Sequence, residues 1–89
     1  SLRDAVTAAP LLPQTLINVR GNRRDGFMEE AGVRAAMEKV EQELGRNGRV
    51  LLRPSGTEPL VRVMVEGKDA DQVERLCRHL AEAVEAAIA

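Results

Sequence analysis

Apolar positions recur at two different periods along this chain, and the order of those periods lays out a fold. Val73, Leu76, Cys77, Leu80, Ala81, Val84 and Ile88 fall at spacings of three and four, the stripe of an amphipathic helix. Asp69 with Gln72 stands just ahead of it in the arrangement of a near capping box. Val33, Met37, Val40 and Leu44 predict an earlier helix within Met28–Leu44, with Gly32 blurring its start and Gly45 suited to the position after its end. Elsewhere the period drops to two. Thr15, Ile17 and Val19 alternate with Leu16, Asn18 and Arg20, which predicts a strand over Gln14–Arg20. Arg49–Arg53 reads as a second strand and Leu60–Glu66 as a third, with Val61, Val63 and Val65 on one face. The order strand–helix–strand–strand–helix predicts an α+β domain: a small antiparallel-biased sheet with two helices packed on one face.

The joints are as legible as the elements. Gly21–Gly26 is a polar turn, and Pro54–Pro59 joins the last two strands as a hairpin loop. Pro10 and Pro13 bracket Leu11-Leu12 and mark an extended boundary. Residues 1–13, with a helix-like pattern over Leu2–Ala9, read as a linker or hinge from a preceding domain, which leaves 14–89 as the domain proper. The chain begins with Ser1 rather than Met, and the expectation is a fragment of something larger. There is no repeat and no low-complexity segment.

The hairpin is where chemistry concentrates. Residues 53–62 read Arg-Pro-Ser-Gly-Thr-Glu-Pro-Leu-Val-Arg. Arg53 and Arg62 each carry a planar fork that matches phosphate oxygens. They sit at facing strand ends and flank the loop, which favours a shared pocket. Ser55 and Thr57 add hydroxyl donors, and Gly56 lets an anion approach its backbone N–H. Successive N–H groups in such a turn form an anion-binding nest. Pro54 and Pro59 fix φ at both ends and reduce the entropy lost on ordering the loop. Glu58 is the odd member, because a carboxylate beside a phosphate is unfavourable unless turned away. A supporting part, holding the loop's shape by accepting hydrogen bonds, suits it better than ligand contact. Asn18 and Arg20 are candidates for a neighbouring surface of the same pocket. The same ten residues are also ordinary turn chemistry between two strands, with arginines that are simply solvated.

Composition narrows the partners. Eighty-nine residues make one small domain with modest burial. The net charge of −1 gives no basic excess for nucleic acid, and one Phe with no Trp or Tyr leaves almost nothing to stack on bases. No apolar run is long enough for a membrane span. No signal peptide is visible, and the single Cys77 excludes an internal disulfide, so a reducing cytoplasm is expected. Cys77 lies on the apolar stripe and reads as a buried core thiol. His79 lies off that stripe, with no partner at ligand spacing, and reads as a surface histidine. Glu29, Glu30, Glu38, Glu41 and Glu43 read as the wet face of a helix rather than a metal site, so no metal is expected in this domain. Met28, Met37 and Met64 read as core filler.

The run Gly-Arg-Val-Leu-Leu-Arg-Pro-Ser-Gly-Thr-Glu-Pro-Leu-Val-Arg-Val-Met-Val-Glu-Gly, residues 48–67, resembles the C-terminal domain of the α-D-phosphohexomutases. The Arg-Pro-Ser-Gly-Thr-Glu-Pro core is the shared part. Leu60 through Glu66, Leu12-Pro13-Gln14 and Asn18-Val19-Arg20 look most like the bacterial glucosamine branch of that superfamily. The resemblance covers nearly the whole chain but only the last of that family's four domains, and it is weakest across residues 21–32. It implies an enzyme that interconverts glucosamine 6-phosphate and glucosamine 1-phosphate through a phosphoserine, a bound magnesium ion and a bisphosphate intermediate. The phosphoserine motif, the aspartate-rich metal loop and the sugar-specifying loop are all absent from this chain. The resemblance therefore implies a domain that holds the phosphate not being transferred, through Arg53, Ser55, Gly56, Thr57 and Arg62, with no catalytic residue of its own. The partners it implies are the hexosamine phosphate substrate and the other three domains. A free-standing anion-binding module and a structural domain with an ordinary turn are the alternatives, along with the equivalent domain of a phosphoglucomutase or phosphomannomutase.

Overall fold

Val61, Val63 and Val65 lose all exposure to solvent, and their strand can be buried this well because it is paired on both sides. A computed structural model describes residues 12–21 and 26–88 of the chain. Its elements are β1 (Gln14–Arg20), α1 (Ala31–Leu44), β2 (Arg49–Pro54), β3 (Leu60–Glu66) and α2 (Ala70–Ile88), with 3-10 turns at Phe27–Glu29 and Gly45–Asn47. The sheet order is β1–β3–β2, and both neighbours run antiparallel to β3. β1 and β2 are therefore parallel to each other, joined through α1, with β3 inserted between them.

Side-chain alternation divides the two faces of this sheet. Val61, Val63 and Val65 of β3, Val19 and Ile17 of β1, and Val50 and Leu52 of β2 pack toward the helices. Val33, Ala36 and Val40 of α1 meet them, as do Val73, Leu76, Cys77, Leu80, Val84 and Ile88 of α2. Each fully buried Val or Leu contributes about 1.5–3 kcal/mol relative to leaving it in water. The other face carries no helix among the described residues. Leu16 and Leu51 stand there at 58% and 42% exposure, and their register partner Met64 is half-buried. The expected α+β architecture is the one observed.

Several details refine or depart from the expected pattern. The first helix spans Ala31–Leu44, within the expected Met28–Leu44, and follows Glu30 in an extended conformation. The residues ahead of it form a 3-10 turn that buries Phe27 and directs Met28 outward at 45% exposure, so Met28 is not core filler. Met37 packs against the core, whereas Met64 sits on the open sheet face. Asp69 does cap α2, its Oδ1 accepting the N–H groups of Asp71 (3.0 Å) and Gln72 (3.2 Å). Gln72 does not return the bond: its side-chain amide donates to the Glu43 carbonyl at the end of α1, 3.3 Å away. The cap thus also ties the two helices together, a long-range contact that local spacing does not encode. β2 runs one residue further than expected, through Pro54, which an edge strand tolerates. Residues 1–11 of the segment 1–13 expected to be a linker or hinge, and residues 22–25 of the polar turn, lie outside the described residues.

Gly45 has a φ of 68°, which closes α1 at the place expected for a glycine. Gly48 is needed for a different reason. A Cβ there would lie 2.6 Å from Leu44 Cβ and 2.8 Å from the backbone oxygen of Glu66. Neither atom can move without shifting the α1 end or β3. Gly48→Ala is therefore expected to destabilise the fold by roughly 1–3 kcal/mol, the usual cost of forced overpacking. Gly56→Ala, where a Cβ meets nothing within 4 Å, should stay within about 0.5 kcal/mol. Urea midpoints compare the two, and equal midpoints would refute the packing argument.

Cys77 is fully buried, with its Sγ 3.4 Å from the Thr15 carbonyl oxygen and 3.5 Å from that of Val63. Burial pushes its thiol above the ordinary 9.0, partly offset by backbone hydrogen bonds at Val65 and Ile17. Below pH 9.0 the folded and unfolded chains both hold this proton, so the group leaves stability unchanged. Above that the unfolded chain loses the proton first, and stability falls. The same burial should slow alkylation of native Cys77 roughly tenfold or more relative to the chain in urea. Rapid labelling of the native chain would contradict this packing.

Candidate functional site

Arg53 and Arg62 face each other directly in the β2–β3 register. That position is the last ladder pair but one before the chain leaves the sheet: Pro54 pairs with Val61, and the loop returns at Leu60. Both arginines are exposed, and both lie on the sheet face that carries no helix. Like charges directly opposite one another in a sheet are destabilising. Three other arginines have answered their charge: Arg49 pairs with Glu66 (3.3 Å), Arg75 with Glu43 (3.2 Å) and Arg78 with Glu74 (2.8 Å). Among the described residues no carboxylate pairs with Arg53 or Arg62.

The loop between them is held by its own serine. Ser55 Oγ accepts the N–H of Thr57 at 3.3 Å and that of Glu58 at 3.2 Å. The Ser55 N–H donates to the Leu60 carbonyl (2.9 Å), and the Leu60 N–H donates to the Glu58 carbonyl (2.7 Å). On the far side the Gly21 N–H donates to the Pro59 carbonyl at 3.0 Å, fastening the loop to the end of β1. Gly21 can reach that position because it has no side chain. A Cβ there would collide with Ile88 at the end of α2, against both its side chain and its backbone oxygen. The tie from Gly21 gives no local signal in the sequence, since it joins residues far apart in the chain.

The residues singled out by sequence fall together. Arg53, Ser55, Gly56, Thr57 and Arg62, with Pro54, line one cavity of about 290 Å³. Gly56 is exposed, its φ is not in the left-handed region, and the space around it is open, so nothing in the fold itself demands a glycine there. Glu58 does not line the cavity. Its part in the loop is played by its backbone, through the two hydrogen bonds just described. Its carboxylate forms no ion pair among the described residues. The side chain that braces the loop is Ser55, and the amides of Thr57 and Glu58 are turned toward it. Asn18 pairs with Arg62 in the β1–β3 register, but neither it nor Arg20 lines the hairpin cavity: both line the cavity between β1 and α2.

Larger cavities lie elsewhere, but their chemistry is wrong for an anion. One of about 450 Å³ runs along the free edge of β1 against α2, where Glu74, Glu82 and Glu85 outnumber Arg20 and Arg78 in the lining. Arg78, which also lines it, is already paired with Glu74. His79 is exposed on α2, away from the hairpin. Among the described residues no group of three or more His, Cys, Asp or Glu side chains converges to hold a metal ion. The magnesium implied by the resemblance therefore has no ligand set among them. No described helix is long and apolar enough to cross a membrane.

Comparison with known proteins identifies the family and the fold. The profile of the phosphoglucomutase/phosphomannomutase C-terminal domain matches residues 16–83, which contain all three strands' pairing residues around the hairpin and both helix stripes up to Ala83. The phosphoglucosamine mutase of Alcanivorax borkumensis is 66% identical over 87 residues, covering 98% of this chain and 20% of that protein. That of Renibacterium salmoninarum is 52% identical over 89 residues, covering 100% of the chain and 20% of the relative. The chain thus spans about one fifth of the length of the curated relatives it matches. Among solved structures, the N-acetylphosphoglucosamine mutase of Aspergillus fumigatus superposes with a TM-score of 0.81 at 25% identity, over 98% of this chain and 18% of that one. That crystal holds glucose 1,6-bisphosphate. A second structure of the Aspergillus enzyme, with GlcNAc-6P and magnesium, gives a TM-score of 0.71 at 28% identity over 88% of this chain and 16% of that one. On the sequence match over residues 16–83 and the shared fold, this chain belongs to the phosphoglucomutase/phosphomannomutase C-terminal domain family.

Proposed function

We propose that this chain is the phosphate-holding domain of a phosphoglucosamine mutase, and that the 53–62 hairpin binds the phosphate that is not being transferred. The observation that carries the reading is the register pair Arg53–Arg62. The fold places two guanidinium groups side by side, against their mutual repulsion and without a carboxylate partner among the described residues. A dianion bridging them turns that cost into two charge-assisted contacts. Gly56 supports the reading, because the fold leaves its small size unexplained while a close-approaching anion explains it.

The work of such a site is positioning and charge neutralisation rather than bond making. A mutase of this kind must accept its substrate in two orientations, with either phosphate in the clamp. A site that reads only the oxygens of a phosphate tolerates that exchange. A domain on a hinge would close over the substrate and reopen for its reorientation. The substrate would be a hexosamine phosphate, the remaining partners the other domains of the longer polypeptide, and the compartment the cytoplasm. Magnesium would be held by those other domains.

Two outcomes are expected. The isolated chain should show no mutase turnover with glucosamine 6-phosphate and a trace of bisphosphate. In an amide titration with the same ligand, however, its largest shifts should fall within residues 53–62. Shifts centred on the α2 N-terminus near Asp69, with the hairpin silent, would refute the assignment. In the longer polypeptide, Arg53→Ala should lower kcat/KM by roughly 30- to 1000-fold, a loss of about 2–4 kcal/mol of transition-state binding, in both reaction directions. Arg53→Lys should recover only part of it, because a point charge does not reproduce the fork. His79→Ala should leave kcat/KM near normal. A folded Arg53→Ala enzyme with near-normal kcat/KM would leave the hairpin as a turn and nothing more.

A further inference from the structure

The strand register carries the site beyond the hairpin. Asn18 pairs with Arg62, and Arg62 pairs with Arg53, so the three residues form one straight row across β1, β3 and β2. All three are exposed, on the face of the sheet opposite α1 and α2. The rows on either side differ in kind. On the side away from the loop comes the apolar row Leu16–Met64–Leu51, then Gln14–Glu66–Arg49, where Glu66 and Arg49 are ion-paired. On the loop side Arg20 pairs with Leu60, which is buried. Asn18 is the one neutral hydrogen-bonding side chain in the cationic row.

We propose that Asn18 binds a hydroxyl of the sugar whose phosphate sits between Arg53 and Arg62, which makes it a contact for the hexose rather than for the anion. The inference rests on the phosphate-clamp reading. Neighbouring strands lie about 4.8 Å apart, so the Asn18 carboxamide is one strand from Arg62 and about two from Arg53. A phosphate bridging the arginines is thus separated from Asn18 by a span of the order of one sugar ring. The loop closes the end of the sheet, and Val61, Val63 and Val65 are sealed beneath it by the helices. Along the sheet surface the row itself offers the polar direction, and Asn18 ends it. A carboxamide both donates and accepts. That suits a hydroxyl, which does the same, and suits a phosphate dianion poorly, since the carboxamide oxygen would face like charge.

The test is a titration of the 89-residue chain with three probes: inorganic phosphate, glucose 6-phosphate and glucosamine 6-phosphate. All three should move the amides of residues 53–62. Only the two sugar phosphates should move the side-chain amide of Asn18. Asn18→Ala should weaken the sugar phosphates roughly 3- to 10-fold, the range of a neutral hydrogen bond, and leave inorganic phosphate unchanged. Thermal melting confirms that the variant is folded, as expected at an exposed position. If the hairpin responds to every probe while Asn18 is equally silent or equally perturbed in all of them, the sugar contact is wrong and the clamp stands. An equal loss for all three probes in Asn18→Ala would likewise overturn the sugar contact, by showing that Asn18 acts through the arginines. A hairpin silent to every probe overturns both readings at once.

Discussion

The alternation of side chains along β3 is the constraint on which the rest of the domain depends. Val61, Val63 and Val65 point into the helices and are fully buried, so Leu60, Arg62, Met64 and Glu66 must point the other way. A slip of one residue would drive Arg62 and Glu66 into the core and expose three valines, a cost far beyond the marginal stability of so small a domain. The core therefore fixes the register, and the register fixes which residues stand beside Arg62. The Asn18–Arg62–Arg53 row is a by-product of hydrophobic burial on the opposite face. No residue in the row has to contribute to stability for the row to exist.

Glycines at the strand ends hold the helices to the same frame. Gly21 lets the end of β1 touch Ile88, and Gly67 sits against Leu44 and Val73 where a Cβ would come within 2.9 and 3.1 Å of their side chains. These approaches bring the chain ends of the sheet under the helices with no gap. One consequence reaches the loop directly, since the Gly21 N–H holds the Pro59 carbonyl. The hairpin is thereby braced at three points: its serine, its own strand ladder and the end of β1. A loop braced in this way loses little further entropy when an anion settles on it.

Much of this was legible in the sequence, and the boundary of legibility has a physical origin. The strands at Gln14–Arg20 and Leu60–Glu66 and the stripe of α2 follow from local periodicity, which one segment carries by itself. The residues lining the hairpin cavity were legible too, because Arg53, Ser55, Gly56, Thr57 and Arg62 are close along the chain and a hairpin must bring them together. What stayed hidden depends on partners distant in sequence. A 3-10 turn ahead of the first helix buries Phe27, and periodicity over Met28–Leu44 has no view of that burial. Met28 and Met64 are apolar, yet only the packing of the other elements decides that they lie outside the core. Gln72 matched a local capping pattern and instead found Glu43 on the other helix. Ser55 was legible as a polar loop residue, while its use as an acceptor for two amides is a matter of turn geometry.

The division of labour inside the hairpin follows from that last point. A clamp needs charge that is free and a backbone that is not. Ser55 consumes two loop amides to fix the shape, and so in the proposed clamp the attraction for an anion would fall chiefly to the two guanidinium groups and to Gly56, beside which there is open space. Rigidity and charge come from different residues, and each can be removed separately. A site built on side-chain forks is also indifferent to what lies behind the phosphate, since the forks read oxygens alone. Discrimination among sugars must then come from groups outside the fork pair. Within this chain the row that contains the forks ends on Asn18, the one member whose chemistry is not that of a phosphate ligand.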